Sequence, residues 1–268
     1  PPPPPPPPPL FFSPPTPAPP MLRSLVGSEM CIRDRPSIRV AEANKDGLDA
    51  IAVTEHIEYQ PYKEDIPHPD RNRSYDLTKK YAKKSNLLVI AGTEITKGMP
   101  PGHSNAIFVK DVNKIMNDDY MESYQAARKQ GAFTFWNHPH WIGQRKDASV
   151  KVYEEVEELI NKRLLHGIEV TNERTYSDQA IQVALDHDLT MIGTSDVHNL
   201  VDWDYKIPQG GHRPVTLVFS KRKNLKDLKR ALFQGRTVVW FKNILIGIVT
   251  NRDLRFEKNM KKKISDVM

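Results

Sequence analysis

Short, unbroken apolar runs recur along this chain, separated by longer stretches in which apolar positions return every three or four residues. The runs fall at 48–54, 87–93, 132–136, 167–171, 189–192, 215–219 and 237–241, rich in β-branched or aromatic residues. Such runs, without alternating polar positions, predict strands buried on both faces, as in a parallel sheet. The intervening stretches predict helices at 37–44, 74–86, 119–130, 150–165, 177–185 and 224–232. Ser74 is a candidate cap, and Gly47 and Gly131 are candidate stops. Residues 61–72 form a polar loop with three prolines, and 98–102 form a turn before a strand at 105–109. About seven strand–helix units in roughly 210 residues predict an α/β fold of the barrel type rather than an open sheet.

The first 35 residues do not share this pattern. Residues 1–20 hold 14 of the 23 prolines, nine of them consecutive. Such a tract can adopt polyproline II but cannot build a core. The string from Ser24 to Arg35 resembles the conceptual translation of a sequencing adapter, and its flanks do not fit a secretory signal. Residues 1–35 are therefore expected to be non-native or disordered, and the barrel to span 36–243. Residues 244–268 read as an extension that starts with a strand-like run and ends in a basic, solvated tail.

Excluding the first segment changes the chemistry available. The single cysteine, Cys31, lies in it, so the remaining body has no thiolate ligand and no disulfide. The formal charge falls from +6 to +5, since 1–35 carries three Arg against one Asp and one Glu. Basic residues are scattered apart from Lys221–Lys223 and Lys261–Lys263, which gives no strong nucleic-acid signal. No 18-residue apolar run suggests a membrane span.

Polar residues of metal-binding type stand where the apolar runs stop. His56, Glu94, His138 and the pair Asp196/His198 follow strand ends, and His103 opens a strand. Asp196 and His198 are two apart, so an extended backbone points both to one face. In an α/β barrel the C-terminal strand ends converge on one mouth, where ligands distant in sequence can meet. Several histidines with carboxylates and no cysteine fit a hydrolytic Zn, Mn or Fe site rather than structural zinc. His68, in the Pro-rich loop, and His166 and His187, at helix ends where a dipole favours imidazolium, read as structural.

Five motifs in order carry a resemblance: Thr54-Glu55-His56, Gly92-Thr93-Glu94-Ile95, Gly102-His103-Ser104-Asn105-Ala106-Ile107, Asn137-His138-Pro139 and Ser195-Asp196-Val197-His198. Together they resemble the PHP (polymerase and histidinol phosphatase) family, most closely its stand-alone bacterial phosphoesterases. The resemblance implies a distorted seven-stranded (β/α) TIM-like barrel, up to three divalent metals and metal-dependent phosphoester hydrolysis. It implies that Glu94, His103 and His138 hold one metal. Glu94 would bridge to a second that Asp196 helps hold, and His56 and His198 would serve a third.

The family's first strand ends in an H-x-H motif, whereas no histidine here precedes His56. The first barrel strand is thus expected to be missing or non-native, leaving an open edge, and the chain as it stands can be inactive. The expected substrate is a small phosphorylated molecule. Arg213, in a Gly-Gly-His-Arg loop, reads either as a bidentate phosphate ligand or as a surface arginine. His140 and Trp141 either line the pocket or pack the loop, and His140 is a candidate proton donor. Two other readings stay open: a PHP-type nuclease or proofreading module acting on DNA, and a barrel that binds metal or ligand without turnover.

Overall fold

The computed structural model describes residues 36–59 and 69–242 in full, and the strands at 21–28 and 244–246 as backbone. His68 and most of the 244–268 extension lie outside the described residues. The elements follow in chain order: β1 Met21–Ser28, α1 Pro36–Lys45, β2 Ala50–Val53, α2 Arg73–Ala82, β3 Leu88–Ile95, β4 Ser104–Ile107, α3 Tyr120–Lys129, β5 Phe133–Trp136, α4 Glu154–Asn161, β6 Gly167–Asn172, β7 Thr175–Tyr176, α5 Asp178–Asp186, β8 Thr190–Thr194, α6 Val201–Tyr205, β9 Val215–Phe219, α7 Leu225–Phe233, β10 Thr237–Phe241 and β11 Ile244–Ile246.

Helix starts follow cap chemistry. The Asp119, Ser177 and Asn224 side chains accept from the backbone N–H of Met121, Ala180 and Asp227, each satisfying an orphan donor of the first turn. Ser74 does not cap α2, because the backbone at Asn72 is already helical. The Asn72 amide instead accepts from the Val112 N–H at 2.8 Å and donates to Asp70 and Asp111.

The strands form one curled sheet in the order β11-β10-β9-β1-β2-β3-β4-β5-β6, with β7 and β8 both pairing with β6. This is a distorted TIM-like barrel, but its strands are mixed rather than all parallel. β4 runs antiparallel to both β3 and β5. Only residues 96–103 join β3 to β4, too few for the helical crossover that a parallel pair needs. β9 is likewise antiparallel to β1 and β10.

The slot expected to be vacant is filled. β1 pairs parallel with β2, Ser28 opposite Val53, and antiparallel with β9, Met21 opposite Phe219. Two flanking edges of unpaired N–H and C=O groups accept an extended backbone largely regardless of its side chains. The expected open edge is therefore corrected.

Between β8 and the β9–β10 pair, side chains close the sheet. The Gly193 N–H donates to the Thr216 hydroxyl, which donates back to the Gly193 carbonyl, both at 2.9 Å. The Thr237 hydroxyl donates to the Met191 carbonyl at 2.9 Å. Buried Ile90, Ile107, Phe133, Phe135, Ile192 and Val218 form one core cluster with Leu228 and Leu232 of α7. A second cluster packs α3, α4 and α5 against the sheet, and a third lies beneath α1 and α2.

Candidate metal centre

At one end of the barrel, the strand ends bring the flagged residues together. His56, Glu94, His103, His138, His140, Asp196 and His198 all line a cleft of about 440 Å³, with Trp141, Ile142, Asn172, Glu173 and Thr175. His56 follows β2 and forms an isolated bridge with Glu94 of β3. The reversal of β4 explains why His103, at a strand's beginning, reaches the same end as Glu94, near the end of β3. His138 and Asp196 follow β5 and β8 with φ of 27° and 45°. Both are non-glycine residues in the left-handed region, where strained backbone concentrates at functional sites.

Glu94 is the centre of the constellation and only 1 % exposed. Its Oε1 lies 3.0 Å from His56 Nδ1 and 3.0 Å from His103 Nδ1. Its Oε2 lies 4.0 Å from His138 Nε2, and Asp196 Oδ2 is 3.9 Å from that same nitrogen. One ligand atom each from Glu94, His103 and His138 fall within 4.8 Å of one another. The buried His103 Nδ1 has no hydrogen-bond partner despite its 3.0 Å approach to the carboxylate. Neighbouring ligands of a metal bound at ~2.0–2.1 Å lie roughly 3 Å apart, and two imidazoles with a carboxylate suit a borderline divalent cation. The donor set therefore fits a metal.

The surrounding hydrogen bonds orient these groups. The Asn137 amide donates to Glu94 Oε2 at 3.0 Å, while its oxygen accepts from the Asn105 N–H, tying three strand ends together. The Thr96 hydroxyl donates to Glu94 Oε1 at 2.8 Å and lies 2.7 Å from His56 Nδ1. With its proton on the carboxylate, it accepts from His56 Nδ1–H, so Nε2 carries the lone pair. His198 Nδ1 stands 2.9 Å from the Asp196 carbonyl, which can only accept, and the same tautomer follows. The two rings lie 6.3 Å apart.

Glu169, fully buried on β6, was not visible as a site residue in the sequence. Its carboxyl accepts from the His138 N–H at 2.7 Å, Asn172 Nδ2 at 2.8 Å and the Thr194 hydroxyl at 2.6 Å. Burial, reinforced by the Asp196 charge, pushes it up to about 8. Burial and the Glu94 charge push Asp196 up to about 6. Crowded carboxylates of this kind are what a bound cation would relieve. A carboxylate within an apolar strand was the one signal that could have found Glu169. For Thr96 and Asn172 no comparable signal existed.

Three residues behave otherwise than the sequence suggested. Arg213 does not line the cleft: its buried guanidinium pairs with Asp46, Nη2 at 2.6 Å and Nε at 2.8 Å. His140 does line it, but its Nε2 sits 2.8 Å from the Thr175 hydroxyl, whose own proton goes to the Asn172 carbonyl. The Nε2 proton is thereby engaged, and burial lowers the imidazole's pKa, so its arrangement does not favour proton donation. His166 is not a helix-end imidazolium. Burial, with the Arg128 charge nearby, lowers it to about 4.

The fold and site define an α/β barrel whose mouth carries a Glu/His cluster that could hold a divalent metal. No protein-family model and no curated protein matches the chain. Among solved structures, it is similar to a two-domain protein from Bacteroides vulgatus containing a predicted PHP-like metal-dependent phosphoesterase. Identity is 44 %, the TM-score is 0.81, and the match covers 85 % of this chain. The chain spans 66 % of that relative's length. The chain belongs to the PHP-like metal-dependent phosphoesterases. Two more distant structures share the fold. A protein from Bifidobacterium adolescentis proposed to be a metal-dependent phosphoesterase has 14 % identity and a TM-score of 0.52, covering 66 % of this chain and 87 % of its own. PsfC from Pseudomonas syringae has 16 % identity and a TM-score of 0.54, covering 83 % and 92 %.

Proposed function

We propose that this chain hydrolyses phosphoesters, as a phosphatase or phosphodiesterase, on a small phosphorylated substrate, with Zn, Mn or Fe in this cleft. The observation that carries the reading is the convergence of Glu94, His103 and His138 on one point of the barrel mouth. Kinship with PHP-like metal-dependent phosphoesterases supports the reaction class. In this reading those three residues hold one cation, Asp196 joins Glu94 on a second, and His56 and His198 serve a third. A bound divalent cation supplies Lewis acidity, lowering the pKa of water and neutralising charge on phosphoryl oxygens. The chain's own part is to position. Asn137 and Thr96 hold the Glu94 carboxylate, and Asp196 and Thr96 set the histidine tautomers. His140 and Trp141 wall the substrate side.

The described residues lining the cleft include no Lys or Arg. Among these described residues, only bound cations and histidines are available to meet phosphate charge. That supports a small ester over nucleic acid, whose backbone requires a track of basic side chains. The test is phosphate release from an aryl phosphate by metal-loaded protein. His138→Ala and Asp196→Ala should each lower it at least tenfold. Undiminished release by either variant overturns the assignment, and no release by wild type with Zn, Mn or Fe favours a non-catalytic binding barrel.

A further inference from the structure

Helix α1 lies outside the cleft and contributes no lining residue, yet four of its side chains or its immediate flank grip the segment that follows β8. The Arg39 guanidinium, 2 % exposed, donates from Nη2 to the Val197 carbonyl at 3.0 Å and from Nη1 to the Asn199 carbonyl at 2.7 Å. Nη1 also meets Glu42 Oε2 at 2.9 Å. The other Glu42 oxygen accepts from the Val201 N–H at 2.8 Å. One turn on, Lys45 pairs with Asp202 at 2.9 Å, and beyond the helix Asp46 holds Arg213. Arg39, Glu42 and Lys45 are spaced by three, so they share one helical side. Their partners, Val197, Asn199, Val201 and Asp202, all fall within 197–202, from the middle of the Asp-x-His motif onward.

We propose that Arg39, with Glu42 as its anchor, is a positioning residue that sets Asp196 and His198 for metal binding. The inference rests on the reading of those two residues as ligands. A segment leaving a strand through a left-handed Asp has little regular backbone pairing of its own. The carbonyl between Asp196 and His198, that of Val197, is fixed by Arg39. Capturing it with one nitrogen and the Asn199 carbonyl with another constrains the peptide plane that precedes His198 and the plane that follows Asn199. Arginine suits this role because its donors diverge in a rigid plane, while a lysine ammonium is a single flexible point. Outer groups that orient ligands typically govern 10–100-fold in metal affinity.

The test compares metal-free wild type, Arg39→Gln, Arg39→Lys, Glu42→Gln and Asp196→Ala by zinc titration against a competing chelator. Hydrogen exchange of the 195–201 amides is followed in parallel. Asp196→Ala should weaken at least one zinc-binding step. Arg39→Gln should weaken that same step about 10–100-fold, with Arg39→Lys recovering part of the loss. Steps that depend on His103 and His138 but not on Asp196 should be unchanged. Exchange at 195–201 should rise while that of β5 stays as in wild type. Equal affinities in Arg39→Gln and wild type overturn the proposal. So does a uniform rise in exchange with every step weakened together, which marks a role in general stability. If Asp196→Ala alters no zinc step, the ligand reading falls and the clamp with it.

Discussion

Gly193 sits where β8 meets β10, three residues before Asp196, and it has no room for a side chain. A Cβ built there would lie 2.4 Å from Val239 Cγ1 and 2.8 Å from Thr171 Cγ2. Carbon atoms in contact prefer ~3.5–4.0 Å, so Gly193→Ala must move β8, β10 or both by roughly 1 Å. Val239 is fully buried, which denies it an easy rotameric escape. Overpacking of this kind costs about 1–3 kcal/mol. For a chain this size each kcal/mol lowers Tm by roughly 2–4 °C, so a fall of about 2–12 °C is expected. Because the displaced strand leads into Asp196, metal affinity should fall with it. Thermal melts of Gly193→Ala, Val239→Ala and the double variant form the assay. Val239→Ala alone creates a cavity, but in the double variant the nearest remaining Val239 atom is its Cβ, at an ordinary 3.5 Å. The double variant should therefore be more stable than the sum of the singles by at least about 0.5 kcal/mol. A Gly193→Ala protein that melts like wild type, or strict additivity in the cycle, refutes this account of barrel closure.

Other consequences can be checked separately. His166 stacks on Phe133, meets Phe233 edge-on and accepts at Nδ1 from the Thr134 N–H, and its burial keeps it neutral in the fold. Its folded pKa of about 4 lies below the unfolded value, so the unfolded chain takes up the proton first as pH drops. His166 by itself should contribute a fall of about 1.4 kcal/mol per pH unit from near pH 6.5 toward pH 4, against the opposite contribution of the raised Glu169 and Asp196 carboxyls, and the difference between the wild-type and His166→Asn denaturation series should show that slope. Asp46→Ala strands a buried Arg213 and should cost about 3 kcal/mol in chemical denaturation. Thr96→Val removes the hydroxyl that sets the His56 tautomer and should weaken metal binding tenfold or more, with Thr96→Ser close to wild type. Equal metal affinity in Thr96→Val would refute the orienting role.

The site was legible where the signal was local. A polar metal-binding residue that interrupts an apolar run is visible in a single sequence, and His56, Glu94, His138, Asp196 and His198 all showed it. His103 was found as a strand opener, although its placement depends on the antiparallel β4, which only the short 96–103 connection could have signalled. What stayed hidden depended on partners far away in the chain. Arg213 read as either a phosphate ligand or a surface arginine because nothing near it in sequence marks Asp46, 167 residues upstream, as its partner. Arg39 carried no local signal because its carbonyl acceptors lie about 160 residues on. The strand at 21–28 was set aside on composition, but pairing in a sheet is a backbone property that composition does not exclude.

The most direct measurement is elemental analysis of purified protein with zinc titration of the metal-stripped form, for wild type, Glu94→Gln and His138→Ala. At least one divalent ion is expected per wild-type chain, with binding weakened at least tenfold in each variant. Wild type without bound divalent metal, or variants that bind as well as wild type, would contradict it.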